Sequence, residues 1–234
     1  METWLIHFAE LSTLMHKMRH RTTTTPAEAL GIVTLCFGWF IAGSAYAVSA
    51  GFRSGAFSES GIVGLVVVEV VLAAAALYLL ASRGFDVACL YPRPSVAGVL
   101  AGLVVSVLAF GAAWAATSVF DWRYYSQPIE RVMGGAPIGL PSLVLLGLVN
   151  GTYEEIFLLG FLLQGLRGYG LSVAIGVSVL VRVLCHLYQG PLGALYVGVF
   201  GLVLSLYYVS SGKLFPVVLA HALWDIIPFV WNGP

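Results

Sequence analysis

Six ionisable side chains lie within stretches of the chain that are apolar enough to cross a bilayer. They form three groups: Glu154 with Glu155, Arg182 with His186, and His221 with Asp225. A carboxylate at the centre of a membrane helix costs about 2.5 to 3.5 kcal/mol on insertion scales, so such groups must face protein, water, a cation or a substrate. A purely structural role for the set would cost free energy that apolar residues would not. This cost favours a functional site.

Helical spacing indicates which of these side chains share a face. The two residues of the second group are four positions apart, as are those of the third, and residues four apart lie on one helix face. In the first group, Glu154 shares its face with Asn150, and Glu155 shares another face with Leu159. Arg182 lies too deep in its span to reach the interface, so it needs an acidic partner. We therefore expect the three groups to converge.

The expected charge balance indicates the kind of chemistry. Three carboxylates against Arg182 leave two excess negative charges in a space of low dielectric. The excess can be relieved by protonation of a carboxyl or histidine group, which suits acid and base catalysis, or by a divalent cation, which suits a metal site. Glu69, a lone acid in another apolar stretch, is expected only to hydrogen-bond a neighbouring helix.

The elements that must position these residues are membrane-spanning helices. Only 9% of the residues are charged and 59% are hydrophobic, whereas soluble domains have roughly 25% charged residues. A spanning helix needs about 20 apolar residues. Seven stretches qualify, near residues 29–50, 61–82, 95–119, 139–166, 170–189, 191–210 and 213–231. The predicted fold is all-α, a polytopic bundle of about seven transmembrane helices, in which the fifth and sixth spans could be one broken element.

The N-terminal segment predicts an amphipathic helix on the membrane surface. Its apolar residues recur at spacings of three and four: Trp4, Phe8, Leu11, Met15 and Met18. A basic cluster follows, which suits anionic lipid. We expect a cytoplasmic leader and linker at residues 1–27 and the membrane bundle at 28–234. The Lys and Arg bias of the short loops predicts a cytoplasmic N-terminus and an outside C-terminus.

Several classes of protein are disfavoured by the sequence. Cys36, Cys89 and Cys185 are odd in number and lack metal-ligand spacing, so free thiols are expected. The net charge is zero and no basic patch occurs, so nucleic acid is not an expected partner. Gly98 and Gly102 form a GxxxG pattern that is typical of helix packing.

At the three polar groups the chain resembles the CPBP intramembrane proteases, also called the CAAX protease and bacteriocin-processing (Abi) family, which includes type II CAAX prenyl endopeptidases. The family carries the motifs EExxxR, FxxxH and HxxxN or HxxxD, in this order on separate membrane helices. Residues 154–159, 182–186 and 221–225 resemble them in order and spacing. The resemblance covers residues 139–231, the expected catalytic core.

Two positions depart from the family pattern. Leu159 replaces the arginine that closes the first motif, and Arg182 replaces the phenylalanine that opens the second. We hypothesise that Arg182 returns a guanidinium to the site from the neighbouring helix, with Glu155 positioning it or contributing a ligand. A rival interpretation is that the loss of the motif arginine marks a member without protease activity.

The resemblance implies an endopeptidase that hydrolyses a membrane-associated peptide bond. Glu154 would be the general base and His186 would help to hold the attacking water. His221 and Asp225 would stabilise the oxyanion or bind a metal. Zn²⁺ or another divalent metal held by Glu154, His186, His221 and Asp225 fits these residue types, and a metal-free mechanism fits them equally well.

The expected substrate is a membrane-embedded or lipidated peptide or protein. The expected location is the plasma membrane of a bacterium, with the lipid bilayer as the surrounding partner. Two other function classes stay open: a non-catalytic membrane scaffold or immunity-type protein of the same fold, and a proton-coupled transporter, because buried acids and histidines also build proton relays.

Overall fold

The computed structural model describes residues 21–52, 56–121 and 138–231, and this part of the chain contains seven long helices and no β-strand. The helices are α1 (Pro26–Ser49), α2 (Glu59–Ser82), α3 (Val96–Thr117), α4 (Leu140–Glu155), α5 (Leu171–Cys185), α6 (Gly190–Ser211) and α7 (Leu214–Trp231). The predicted all-α helix bundle is confirmed. The predicted amphipathic leader lies outside the described residues, except for its last few positions.

Side-chain caps fix where the first three helices begin. The hydroxyl of Thr25 accepts a hydrogen bond from Glu28 N at the start of α1, and Pro26 occupies the first turn. Ser58 and Ser95 cap α2 and α3 in the same way. Each cap satisfies a backbone N–H that has no partner within its helix.

Helix α4 continues beyond Glu155 in a different geometry. A π-helix covers Ile156–Leu163, and short turns extend the element to Tyr169. A π-helix pairs each N–H with the carbonyl five residues earlier, and such segments occur frequently at functional sites. The widened turn therefore begins directly after the two glutamates.

The fifth and sixth predicted spans are two separate helices. Helix α5 ends at Cys185, a short 3₁₀ turn covers Leu187–Gln189, and α6 begins at Gly190 with φ of +81°. This left-handed backbone is readily accessible to glycine. Gly190 therefore allows the reversal between two antiparallel neighbours.

Five apolar elements in the described residues are long enough to cross a membrane. They are Pro26–Ser49, Glu59–Ser82, Val96–Thr117, Leu140–Tyr169 and Leu187–Ser211, whereas α5 and α7 are apolar but shorter. Large apolar side chains such as Val67 and Val71 of α2 point outward and are exposed. These features identify an integral membrane protein. The cytoplasmic position of the N-terminus stays a prediction.

The element that carries the glutamates is the centre of the bundle. In its most apolar window 61% of the residues are buried, against 22% for α2. Helix α4 packs between α2 and α7, while α6 packs against α3 and α5. The acidic pair is therefore enclosed by protein rather than directed into lipid.

Glycines allow the closest helix contacts. A Cβ atom at Gly147 would lie 2.7 Å from the backbone oxygen of Ala222, and one at Gly151 would lie 2.9 Å from its nitrogen. Helices α4 and α7 thus approach with their backbones nearly touching, at the residue that follows His221 and, for Gly151, one turn before Glu154. Gly98 and Gly102 let α3 approach α7 similarly, as the GxxxG pattern predicts.

Candidate active site

The three polar groups meet at one cavity inside the bundle. The cavity, hereafter the chamber, has a volume of about 740 Å³, and its lining includes Glu154, Arg182, His186, His221 and Asp225. This volume is typical of a binding site for a small molecule or a short peptide segment. The sixth ionisable side chain, Glu155, lies behind the lining and contacts Arg182 and His221.

Arg182 holds both glutamates. Its Nη1 atom lies 3.1 Å from Glu154 Oε2, and its Nη2 atom lies 2.7 Å from Glu155 Oε1. The arginine is 2% exposed, and Glu155 is fully buried. The sequence predicted one acidic partner for Arg182, and the structure shows two. Each glutamate accepts a hydrogen bond from one terminal nitrogen of the planar guanidinium.

His221 extends the cluster from α7. Its Nδ1 atom lies 2.6 Å from Glu155 Oε1, so Nδ1 carries a proton that it donates to the carboxylate. Its Nε2 atom faces Asp225 Oδ1 at 3.7 Å, which is too long for a direct hydrogen bond. Asn150 donates instead to Asp225 Oδ2 at 2.9 Å, so the amide that shares a face with Glu154 holds Asp225 in place.

His186 completes the cluster from the end of α5. Its Nδ1 atom donates to the backbone oxygen of Arg182 at 2.8 Å, which leaves Nε2 as an acceptor in the neutral ring. This Nε2 lies 3.8 Å from Glu154 Oε1. Two acceptors at this separation can be bridged by one water molecule that donates a hydrogen bond to each.

Hydrogen bonds to backbone carbonyls fix the helices that carry the cluster. The Ser178 hydroxyl of α5 donates to Leu158 O in the π-helix at 2.9 Å. The Tyr153 hydroxyl of α4 donates to Cys36 O in α1 at 2.6 Å. All four residues are buried. These bonds hold α1, α4 and α5 in register around the glutamates.

A glycine on α6 makes room for the guanidinium. A Cβ atom at Gly201 would lie 2.7 Å from Arg182 Cδ and 2.8 Å from its Nε. Any larger side chain there would displace the arginine from the glutamates. The sequence offers no signal that distinguishes Gly201 from other glycines of the chain, so this role becomes visible only in the structure.

The donor set does not fit a metal site. Across the described ranges, no three His, Cys, Asp or Glu side chains are arranged to hold a metal ion. Between the two glutamates, moreover, the position that a cation would take is filled by the guanidinium of Arg182. We therefore derive no chemical step through a metal.

Aromatic side chains form another part of the chamber wall. Phe110 of α3 stacks on Trp224 of α7 with ring centroids 4.2 Å apart, and Tyr196 of α6 packs edge-on against the same indole. These rings line the chamber together with Phe200. The chamber therefore combines a polar cluster with an apolar surface.

Glu69 lines the chamber, although the sequence analysis assigned it only a hydrogen bond to a neighbouring helix. Glu69 of α2 is 2% exposed and lines the chamber, yet its Oε2 atom has no hydrogen-bond partner among the described residues. The expected contact of this oxygen with a neighbouring helix is absent there. A lone acid in an apolar span was the available signal, but without a spaced polar companion it did not indicate the chamber.

A scan against protein families finds one match in this region. Residues 135–227 match the family model described as type II CAAX prenyl endopeptidase Rce1-like. The matched segment includes all three polar groups. The matched segment covers less than half of the chain. No curated protein and no solved structure gave a significant match.

Proposed function

We propose that this chain, which over residues 135–227 is similar to the type II CAAX prenyl endopeptidase family model, hydrolyses a peptide bond of a membrane-associated substrate. The observation that carries the proposal is the pair of acceptors, Glu154 Oε1 and His186 Nε2, that face each other across 3.8 Å. They lie at the chamber, where a peptide can meet a bound water.

The two acceptors orient the attacking water. A water that donates one hydrogen to Glu154 Oε1 and the other to His186 Nε2 directs a lone pair away from both. Arg182 occupies Glu154 Oε2 at 3.1 Å, so Oε1 is the oxygen left for the water. The arginine thereby fixes which oxygen acts as the base.

The bond changes follow from this arrangement. As the water oxygen bonds to the scissile carbonyl carbon, Glu154 takes its proton and the carbonyl oxygen becomes an oxyanion. Collapse of the tetrahedral intermediate breaks the C–N bond, and Glu154 returns the proton to the leaving amine. The carboxylate is regenerated, so one water is consumed for each peptide bond.

His221 is the candidate donor to the oxyanion. Its Nδ1 proton is committed to Glu155, so Nε2 is the atom that can donate into the chamber. Nε2 carries a hydrogen when both ring nitrogens are protonated, and a carboxylate lies at each nitrogen, Glu155 at Nδ1 and Asp225 at Nε2. Asn150 holds Asp225 on the far side and so keeps this environment in place.

The arginine substitution in the second motif fits this scheme. We propose that Arg182 supplies from α5 the guanidinium that Leu159 does not supply from the π-helix. The substrate class is a membrane-embedded or lipidated peptide, and we place the N-terminus on the cytoplasmic side of a bacterial plasma membrane.

The test is cleavage by the purified protein in lipid vesicles, with a library of membrane peptides and product detection by mass spectrometry. Glu154→Gln keeps the size of the side chain but removes the base, so cleavage should fall by about 100- to 10,000-fold. Asp86→Asn makes the same chemical change outside the chamber and should leave cleavage unchanged.

Other outcomes would identify the competing functions. Cleavage that Glu154→Gln does not affect would refute the assigned base. Ion-gradient-driven uptake without any product would indicate a transporter. A cellular role that survives Glu154→Ala, with no product from any peptide, would indicate a non-catalytic scaffold.

A further inference from the structure

Glu69 is a buried acidic residue that has no role in the proposed hydrolysis. It lies in the middle of α2, on the chamber wall, and only 2% of its surface is exposed. Glu154, Asp225 and His221 line the same chamber. The Oε2 atom of Glu69 has no hydrogen-bond partner in the described part of the chain.

A buried polar atom without a partner is costly and needs an explanation. Leaving a buried acceptor unsatisfied costs about 1 to 3 kcal/mol, and more when the group is charged. Two further such atoms occur among the described residues: the Tyr196 hydroxyl, on α6 and also in the chamber lining, and Glu155 Oε2, which lies behind the lining. Two unsatisfied polar groups at one cavity indicate that a molecule bound there supplies their partners.

The charges around the chamber indicate which chemical group that molecule carries. The cluster holds three carboxylates, those of Glu154, Glu155 and Asp225, whereas Arg182 is its single guanidinium among the described residues. A proton on both nitrogens of His221 would still leave negative charge in excess. The chamber is therefore electrostatically complementary to a cation.

We propose that Glu69 is a substrate-binding residue that accepts a hydrogen bond from a lysine or arginine side chain in an otherwise apolar peptide segment. The proposal rests on the proposed protease function, because it names the class of peptide that the same chamber takes. The wall of Phe110, Trp224 and Phe200 receives the apolar neighbours of the basic residue.

This arrangement gives the protein a means of selection. A basic side chain within a bilayer is costly, so few apolar segments carry one. A peptide that does carry one gains a hydrogen-bond acceptor at Glu69 and the excess negative charge of the cluster, whereas a purely apolar peptide leaves Glu69 unpaired. Specificity of this kind arises because the wrong ligand leaves a buried polar group unsatisfied.

The experiment measures binding and cleavage of two labelled peptides in lipid vesicles. Both are Leu/Ala helices with one central residue, lysine in the first and norleucine in the second, which retains the carbon chain without the ammonium. The wild-type protein should bind the lysine peptide about 10- to 100-fold more tightly. Glu69→Gln should reduce this ratio to near one, whereas Asp86→Asn should leave it unchanged.

Two results would overturn the proposal. One is equal affinity of the wild-type protein for both peptides, which would mean that water alone solvates Glu69. The other is a marked loss of thermal stability in Glu69→Gln, since an acid without protein partners should not stabilise the fold. A third result separates the two proposals. If Glu154→Gln has no effect on cleavage while the wild-type protein still prefers the lysine peptide, the protease scheme is refuted, but the binding role of Glu69 is not.

Discussion

Replacement of Arg182 by leucine tests the centre of the proposed machinery. The guanidinium is 2% exposed and contacts a carboxylate with each arm, at 3.1 Å and 2.7 Å. Removing one partner of a buried ion pair leaves an uncompensated charge, which costs about 3 to 5 kcal/mol. Because Arg182→Leu leaves two carboxylates without their cation, we expect a loss of stability at the upper end of this range.

Activity should fall further than stability alone explains. Without the arginine, Glu154 Oε2 loses its partner, and the carboxylate can rotate away from His186. A misplacement of about 1 Å in a catalytic group can cost on the order of 100-fold in rate. We expect Arg182→Leu to lose at least about 100-fold in cleavage under conditions where the protein remains folded.

The assay combines denaturant unfolding in mixed micelles, followed by tryptophan fluorescence, with peptide cleavage in vesicles. Arg167→Leu is the control, because that arginine is exposed at the end of the element that carries the two glutamates, and the change should alter stability by less than about 0.5 kcal/mol. In the double variant Arg182→Leu with Glu155→Gln, the second change removes one unpaired carboxylate and should recover about 1 to 3 kcal/mol.

A single result would refute this reasoning. If Arg182→Leu unfolds at the same denaturant concentration as the parent and cleaves at the same rate, the guanidinium neither holds the carboxylates nor replaces the motif arginine. Loss of stability with no recovery in the double variant would show that Glu155 is not its energetic partner.

Two further predictions concern the helix contact and the donor set. Gly151→Leu must push α7 away from α4, so it should cost about 1 to 3 kcal/mol of stability and most of the cleavage activity. Gly111→Leu is the control and should be tolerated, because position 111 has open space around it. Equal behaviour of the two variants would disprove the close contact. Chelators such as EDTA and 1,10-phenanthroline should leave cleavage unchanged within about twofold, because Arg182 fills the cation position; loss of activity with recovery on adding Zn²⁺ would contradict this.

The sequence predicted the elements of the fold well, because lipid imposes a simple requirement on length and polarity. The second predicted span, 61–82, corresponds to Glu59–Ser82, and the last, 213–231, to Leu214–Trp231. The π-helical segment at Ile156–Leu163 was not predicted. Its residues are uniformly apolar, so their pattern contains no signal for a change in the number of residues per turn.

The composition of the site was predictable in part. Spacing within a helix fixes which side chains share a face, and the cost of burying Arg182 required an acid nearby. Distances between helices depend on how closely the helices pack, for example where Gly147 and Gly151 meet the backbone of Ala222. Residue spacing along the sequence does not give these distances. For this reason the spacing of His221 and Asp225 could not show that Asn150, rather than His221, makes the close hydrogen bond to Asp225.

The missing side chain at Gly201 has a consequence for how sequences of this kind can change. Alanine or any bulkier residue at 201 is compatible with the fold only when position 182 holds something shorter than arginine. Positions 182 and 201 should therefore co-vary among related proteins. We expect arginine at 182 only in sequences that already hold glycine at 201, since the reverse order passes through an intermediate with no space for the guanidinium.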